Sequence, residues 1–156
     1  MSISDMIVVM KLGVVQQIGK PQEVYENPVN LFVAKFLGTP PINTFTGRVE
    51  GGKLWIGREA VLDAACPEGS YDVAIRPEGF VPGEDGSFTC ELSRVEVMGR
   101  DISVVCGHDA FTGEAFRAIV DSDDLSKLTG ETVRFRLKEN KVFLFDPETG
   151  KRIALR

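Results

Sequence analysis

Arg76-Pro77-Glu78, two opposite charges separated by a proline, carries the largest functional weight in this 156-residue sequence. It follows the mostly apolar stretch Tyr71 to Ile75, which reads as a strand, and a proline behind a strand fixes the turn that leaves it. Two charges are thereby presented at a sheet edge. Three roles compete for them. The plainest is a rigid turn with a local ion pair, worth about 0 to 1 kcal/mol when exposed; the others are a ligand site and a contact that holds a neighbouring domain or subunit. Charge reversal at Arg76 separates them. An interface role predicts weakened association at a nearly unchanged melting temperature, and a structural role predicts a large fall in stability.

Other residues suggest chemistry but lack its spacing. Gly150-Lys151 resembles the end of a phosphate-cradling loop, yet Phe145 stands where the first glycine belongs and Arg152 where the hydroxyl belongs. Cys106-Gly107-His108-Asp109 offers no acidic magnesium pair, because Ala110 follows the aspartate. His108 is the only histidine, and its neighbours Gly107 and Asp109 make it a turn residue. Asp121, Asp123 and Asp124 lack the spacing of a calcium loop and read as a solvated helix start. Cys66, Cys90 and Cys106 are odd in number and widely spaced, against a disulfide framework or a zinc site. Cys90 and Cys106 fall in strand patterns as small hydrophobes. No metal and no cofactor are expected.

The elements that must position these residues are mostly strands. Gly51-Gly52 is a two-residue hairpin signal between Phe45–Glu50 and Lys53–Ile56. Further strands are predicted at Tyr71–Arg76, Phe88–Met98, Ile102–Cys106, Glu114–Val120, Thr132–Leu137 and Val142–Phe145, with one helical turn at Asp123–Leu128. This is a mainly β pattern, an antiparallel barrel of the oligonucleotide-binding (OB-like) type. Ahead of it stand a hairpin (Asp5–Met10, turn Leu12-Gly13, Val14–Gly19) and two short helices. The first opens at Pro21 behind Lys20, a poor cap; the second is predicted to start at Asn27-Pro28 and stop at Gly38. Val29, Phe32, Val33, Phe36 and Leu37 make an apolar stripe on it. Thr39-Pro40-Pro41 marks the predicted boundary between a segment 1–39 and a domain 40–156.

Composition narrows the partners. An apolar fraction of 43% is enough for an ordinary core. The net charge of −5 falls wholly on residues 40–156, since the first 39 carry three lysines against three acids, so a nucleic-acid backbone is repelled. In Thr132–Leu137, Arg134 and Arg136 alternate with Phe135, which puts cations and aromatic ring on opposite faces and leaves no stacking groove. No stretch reaches the roughly 18 apolar residues of a spanning helix, so direct membrane insertion is not expected.

The residues also carry a resemblance. The succession Asp5–Gly19, Lys20–Tyr25, Asn27–Ala34, Phe36-Leu37-Gly38 and Ile42-Asn43 resembles the end of the nucleotide-binding domain in sugar-type ABC importer ATPases, the maltose and glycerol-phosphate transporters among them. Val73–Glu78, Val95–Asp101 and Phe143–Ile153 are similar to three blocks of the transport-associated barrel (TOBE, related to the barrels of molybdate transport) that follows that domain. The resemblance implies a regulatory and dimerisation portion of an ATP-binding subunit. Its interface residues would be Arg76, Pro77, Glu78, Glu96, Gly99, Asp146 and Gly150. It implies a homodimer, an ABC ATPase core and a membrane permease as partners, and a cytoplasmic, peripheral location at the inner face of the membrane.

ATP and magnesium belong to the parent family's upstream motifs. Walker A, Walker B, the signature sequence and the switch histidine are not found in this sequence, so the chain is not expected to be an enzyme. A small-ligand barrel for an oxyanion or sugar phosphate is an alternative, opposed by the acidic excess; a single-strand nucleic-acid barrel is less favoured. A segment below about 40 residues rarely folds alone. Ile7, Val9 and the stripe Val29, Phe32, Val33, Phe36, Leu37 are therefore expected to pack against another domain or a second copy.

Overall fold

The computed structural model describes residues 5–156; the first four residues of the predicted segment 1–39 lie outside the described residues. β1 (Ile7–Lys11) and β2 (Val14–Gly19) form an antiparallel hairpin through Leu12 and Gly13, both at positive φ. α1 (Pro21–Glu26) follows with no side-chain cap at Lys20, as its poor capping chemistry predicts. α2 (Leu31–Phe36) starts later than Asn27-Pro28. Its cap is Asn30, whose Oδ1 accepts from Val33 N at 2.9 Å, while Asn27 closes α1. The intervening residues are drawn into extended pairing: Arg152 N donates to Val29 O at 3.0 Å and Val29 N to Gln17 Oε1 at 3.0 Å. A proline suited to a first helical turn is equally suited to that extended path.

The rest is β, in two antiparallel sheets. β3 (Asn43–Glu50), β4 (Lys53–Ile56), β5 (Glu59–Asp63), β6 (Gly69–Ile75), β12 (Val142–Phe145) and β13 (Arg152–Ile153) lie in the order β13-β12-β6-β3-β4-β5. β7 (Phe80–Pro82), β8 (Phe88–Met98), β9 (Asp101–Gly107), β10 (Phe116–Asp121) and β11 (Thr132–Leu137) lie in the order β10-β9-β8-β11-β7, and the two end strands approach each other. The result is a nearly closed five-stranded OB-like barrel backed by the second sheet. Gly51 and Gly52 both take positive φ, 61° and 76°, as a two-residue hairpin turn requires.

Alternation decides which faces are buried. In β11, Val133, Phe135 and Leu137 point inward while Arg134 and Arg136 stay exposed. The core joins inward residues of both sheets around Phe45, whose ring meets Phe88 and Phe116 edge-on at 5.4 and 5.0 Å. The hairpin and helices keep a separate small core of Val9, Val24 and Val33, with Ile7, Phe32 and Leu37 against it.

Candidate interface at the end of strand β6

Pro77 holds Arg76 in an extended conformation (φ −61°, ψ 146°) and opens a single 3-10 turn, Pro77–Gly79. The guanidinium does not reach solvent. Arg76 is 1% exposed, and its Nη1 donates to Ala34 O and Leu37 O, both at 2.9 Å, while Nη2 donates to Tyr25 O at 2.8 Å. Those carbonyls lie at the C-terminal ends of α1 and α2, where helices leave carbonyls unpaired and where positive charge is favoured. The guanidinium carbon lies over Tyr25, 3.9 Å from Cζ to the ring centroid. Gly38 turns the chain beside this contact at φ 113°, with Tyr25 and Arg76 atoms 3.4 and 3.6 Å from where a Cβ would sit.

The structure corrects the reading of Arg76 and Glu78 as a local, exposed ion pair. Arg76 directs both terminal nitrogens to helix carbonyls. Burial lowers its pKa, while the nearby Tyr25 and Glu78 oppose the shift; a guanidinium stays charged regardless. Glu78 turns to other partners: it accepts from Tyr25 Oη at 2.5 Å and lies 3.5 Å from Lys141 Nζ. Burial pushes the Glu78 carboxyl up, but the Tyr25 hydroxyl, its own backbone amide and Lys141 outweigh that and hold it below the usual range. The Tyr25 phenol is pushed up by burial and by the same carboxylate.

Of the other predicted interface residues, Asp146 and Gly150 join this junction. Asp146 Oδ1 accepts from Glu148 N and Thr149 N at 2.8 and 3.0 Å, which depresses its pKa. The turn so formed lets Gly150 O accept from Leu31 N at 2.9 Å, at the start of α2. Glu96 and Gly99 do not join it. They lie on the β8–β9 hairpin of the other sheet, where Glu96 accepts from Arg94 Nε at 2.7 Å and Arg117 Nη1 at 3.3 Å. Of the hairpin and stripe residues, Val9 and Val33 are fully buried within the chain, Ile7, Phe32 and Leu37 partly so, and Val29 and Phe36 are 45% and 59% exposed.

Tyr25 and Lys141 escaped the sequence reading. The available signal was the phenol, which needs a polar partner wherever its ring is covered.

Elsewhere the chemistry-bearing residues are structural. His108 Nδ1 accepts from Ala110 N at 3.0 Å inside a turn closed by Phe111 N on His108 O. The thiols of Cys90 and Cys106 are buried, and burial pushes Cys106 up to about 12. Gly150 sits in the turn between β12 and β13, not ahead of a helix as a phosphate loop requires. A pocket of about 410 Å³ is lined by Ser126, Lys127, Thr129, Thr132 and Arg134, but Lys127 pairs with Asp124 at 3.0 Å and Arg134 Nε is committed to Gly86 O. No cluster of metal-binding side chains occurs among the described residues.

The chain matches no family model. It aligns over 98% of its length, at 34% identity, with the sn-glycerol-3-phosphate import ATP-binding protein UgpC of Jannaschia sp. (strain CCS1). It is 32% identical over 98% of its length to the protein of that name from Shigella boydii serotype 4 (strain Sb227). The whole chain aligns at 35% identity with the putative ABC transporter ATP-binding protein MG187 homolog of Mycoplasma pneumoniae (strain ATCC 29342 / M129 / Subtype 1). The chain is a homologue of ABC importer ATP-binding subunits. The resemblance carried by Asp5–Asn43 and by the three later blocks is thus met. The chain spans less than half of these relatives, 43% of the Jannaschia protein and 27% of the Mycoplasma one. No helix among the described residues is long and apolar enough to cross a membrane.

Proposed function

We propose that this chain is the regulatory and assembly portion of an ABC importer ATP-binding subunit for glycerol phosphate, sugars or related polar solutes, and that alone it neither binds nor hydrolyses ATP. The observation that carries this reading is the outer face of the hairpin. Val8 and Ile18 are paired across the strands and are 50% and 59% exposed; Met10 and Val15 are paired likewise and both 49% exposed. Among the described residues neither outer edge of the two-stranded sheet is paired with another strand. Such a face and such edges suit insertion against a further domain. The occupant is the ATP-binding portion of the subunit, through which a membrane permease and a cytoplasmic site at the membrane follow; without it, a second copy takes its place. A regulatory role is supported by the barrel's seam with the hairpin and helices, built from Arg76, Glu78 and Gly150.

The test is to co-express the chain with the part of the Jannaschia relative that lies outside the matched region. A defined complex by size exclusion with light scattering, and ATPase activity present only in that complex or in the added part, supports the reading. Absence of association, or ATP turnover by the chain alone, refutes it.

A further inference from the structure

Arg76 ties both helices to the barrel at once, with one guanidinium bonded to carbonyls of each. Among the described residues the barrel core begins at Phe45, whereas the segment 5–38 has an apolar cluster of its own built on just Val9, Val24 and Val33. Such a core is too small to hold the segment unaided, since chains below about 40 residues rarely fold alone. Among the described residues the segment meets the barrel through the Arg76 guanidinium, through Tyr25 with Glu78 and Lys141, through Asn27 with Arg152, and along the strip where Val29–Leu31 pairs with Gly150–Arg152 beside Ala34, Ala74, Phe143 and Phe145.

We propose that Arg76 is the positioning residue through which the barrel keeps the hairpin and helices ordered, and that this dependence runs one way. Without Arg76 the segment 5–38 loosens while the barrel keeps its fold. The planar fork makes this possible, since one cation satisfies the ends of two helices that come from different stretches of sequence. A lysine presents a point charge and cannot reproduce the three-carbonyl geometry. The dock is also poised. Nε of Arg76 is buried with no partner, so release of the segment returns that donor to water and offsets part of what undocking loses. This claim is independent of the proposed function, because it is read on the chain alone without ATP or any partner.

Hydrogen exchange on the full chain tests it, comparing wild type with Arg76→Met and Arg76→Lys. Arg76→Met keeps the bulk and removes the donors. The expected result is a loss of at least about 100-fold in amide protection across β1, β2, α1 and α2, with protection in β3, β9 and β12 held within about threefold. Arg76→Lys is expected to fall between the two. Uniform loss of protection, failure of the Met variant to retain the barrel, unchanged exchange in the helices, or a Lys variant indistinguishable from wild type would each overturn the proposal.

Discussion

The barrel and the hairpin–helix segment bury their apolar residues in opposite ways. In the barrel, strands from two sheets close over one another, and Phe45, Phe80, Phe88, Phe116 and Phe135 are all 2% exposed or less. In the segment, the inward face of the hairpin is covered by α1 and α2, but Met6, Val8, Met10, Val14, Val15 and Ile18 remain about half exposed or more. A closed sheet satisfies its own edges and core, whereas a two-stranded sheet has one face to spare. The first region encloses its apolar side chains; the second leaves an apolar face in solvent.

The largest break in that contrast comes from the barrel side. Phe45 touches Phe88, Phe111 and Phe116, so Phe45→Ala leaves a cavity that the fixed strands cannot close. The expected cost is about 3 to 5 kcal/mol in a denaturant titration, with the whole transition shifted. A cost below about 1 kcal/mol would mean that the aromatic cluster is not the centre of the fold.

On the hairpin side the expectation is reversed. Val8→Lys with Ile18→Glu places opposite charges at a cross-strand pair on the uncovered face. Stability is expected to change by about 0.5 kcal/mol or less. Association is expected to change completely: light scattering gives a dimer for wild type and a monomer for the double variant. A monomeric wild type at high concentration would remove self-pairing through this face.

The two regions also differed in how much of them the sequence disclosed. Strand alternation made β11 and the β3–β4 hairpin legible, down to which face Phe135 and the arginines take, because inward burial there follows directly from period-2 patterning. β5 (Glu-Ala-Val-Leu-Asp) and the three-residue β7 carry no such alternation and are fixed by pairing with distant strands. The start of α2 was misplaced because Asn27-Pro28 satisfies local rules that long-range pairing to Gly150 and Arg152 overrides. Arg76 was singled out by its proline and its charge, yet its burial was invisible. The carbonyls that receive it lie 39 to 51 residues earlier and converge only in the folded chain. That placement also changes what charge reversal predicts: a buried site on helix carbonyls makes Arg76→Glu strongly destabilising to the segment.

The smallest effect sharpens the seam between the regions. Glu78 has a folded pKa below its ordinary value, so its contribution is fully present above the unfolded carboxylate value of about 4.3 and is lost as pH falls through the lower folded value. The groups facing it are Tyr25 and Lys141, with the Arg76 charge close by. Its side chain is 37% exposed, so solvent screening limits the contribution to about 0 to 1 kcal/mol. Wild type should therefore lose slightly more stability than Glu78→Gln between about pH 5 and pH 3. The difference should appear as earlier exchange of α1 amides in acid, since Tyr25 is the donor that protonation of Glu78 weakens first. Parallel acid profiles for the two proteins would assign the ordering of α1 to Arg76 alone, with the carboxylate a bystander.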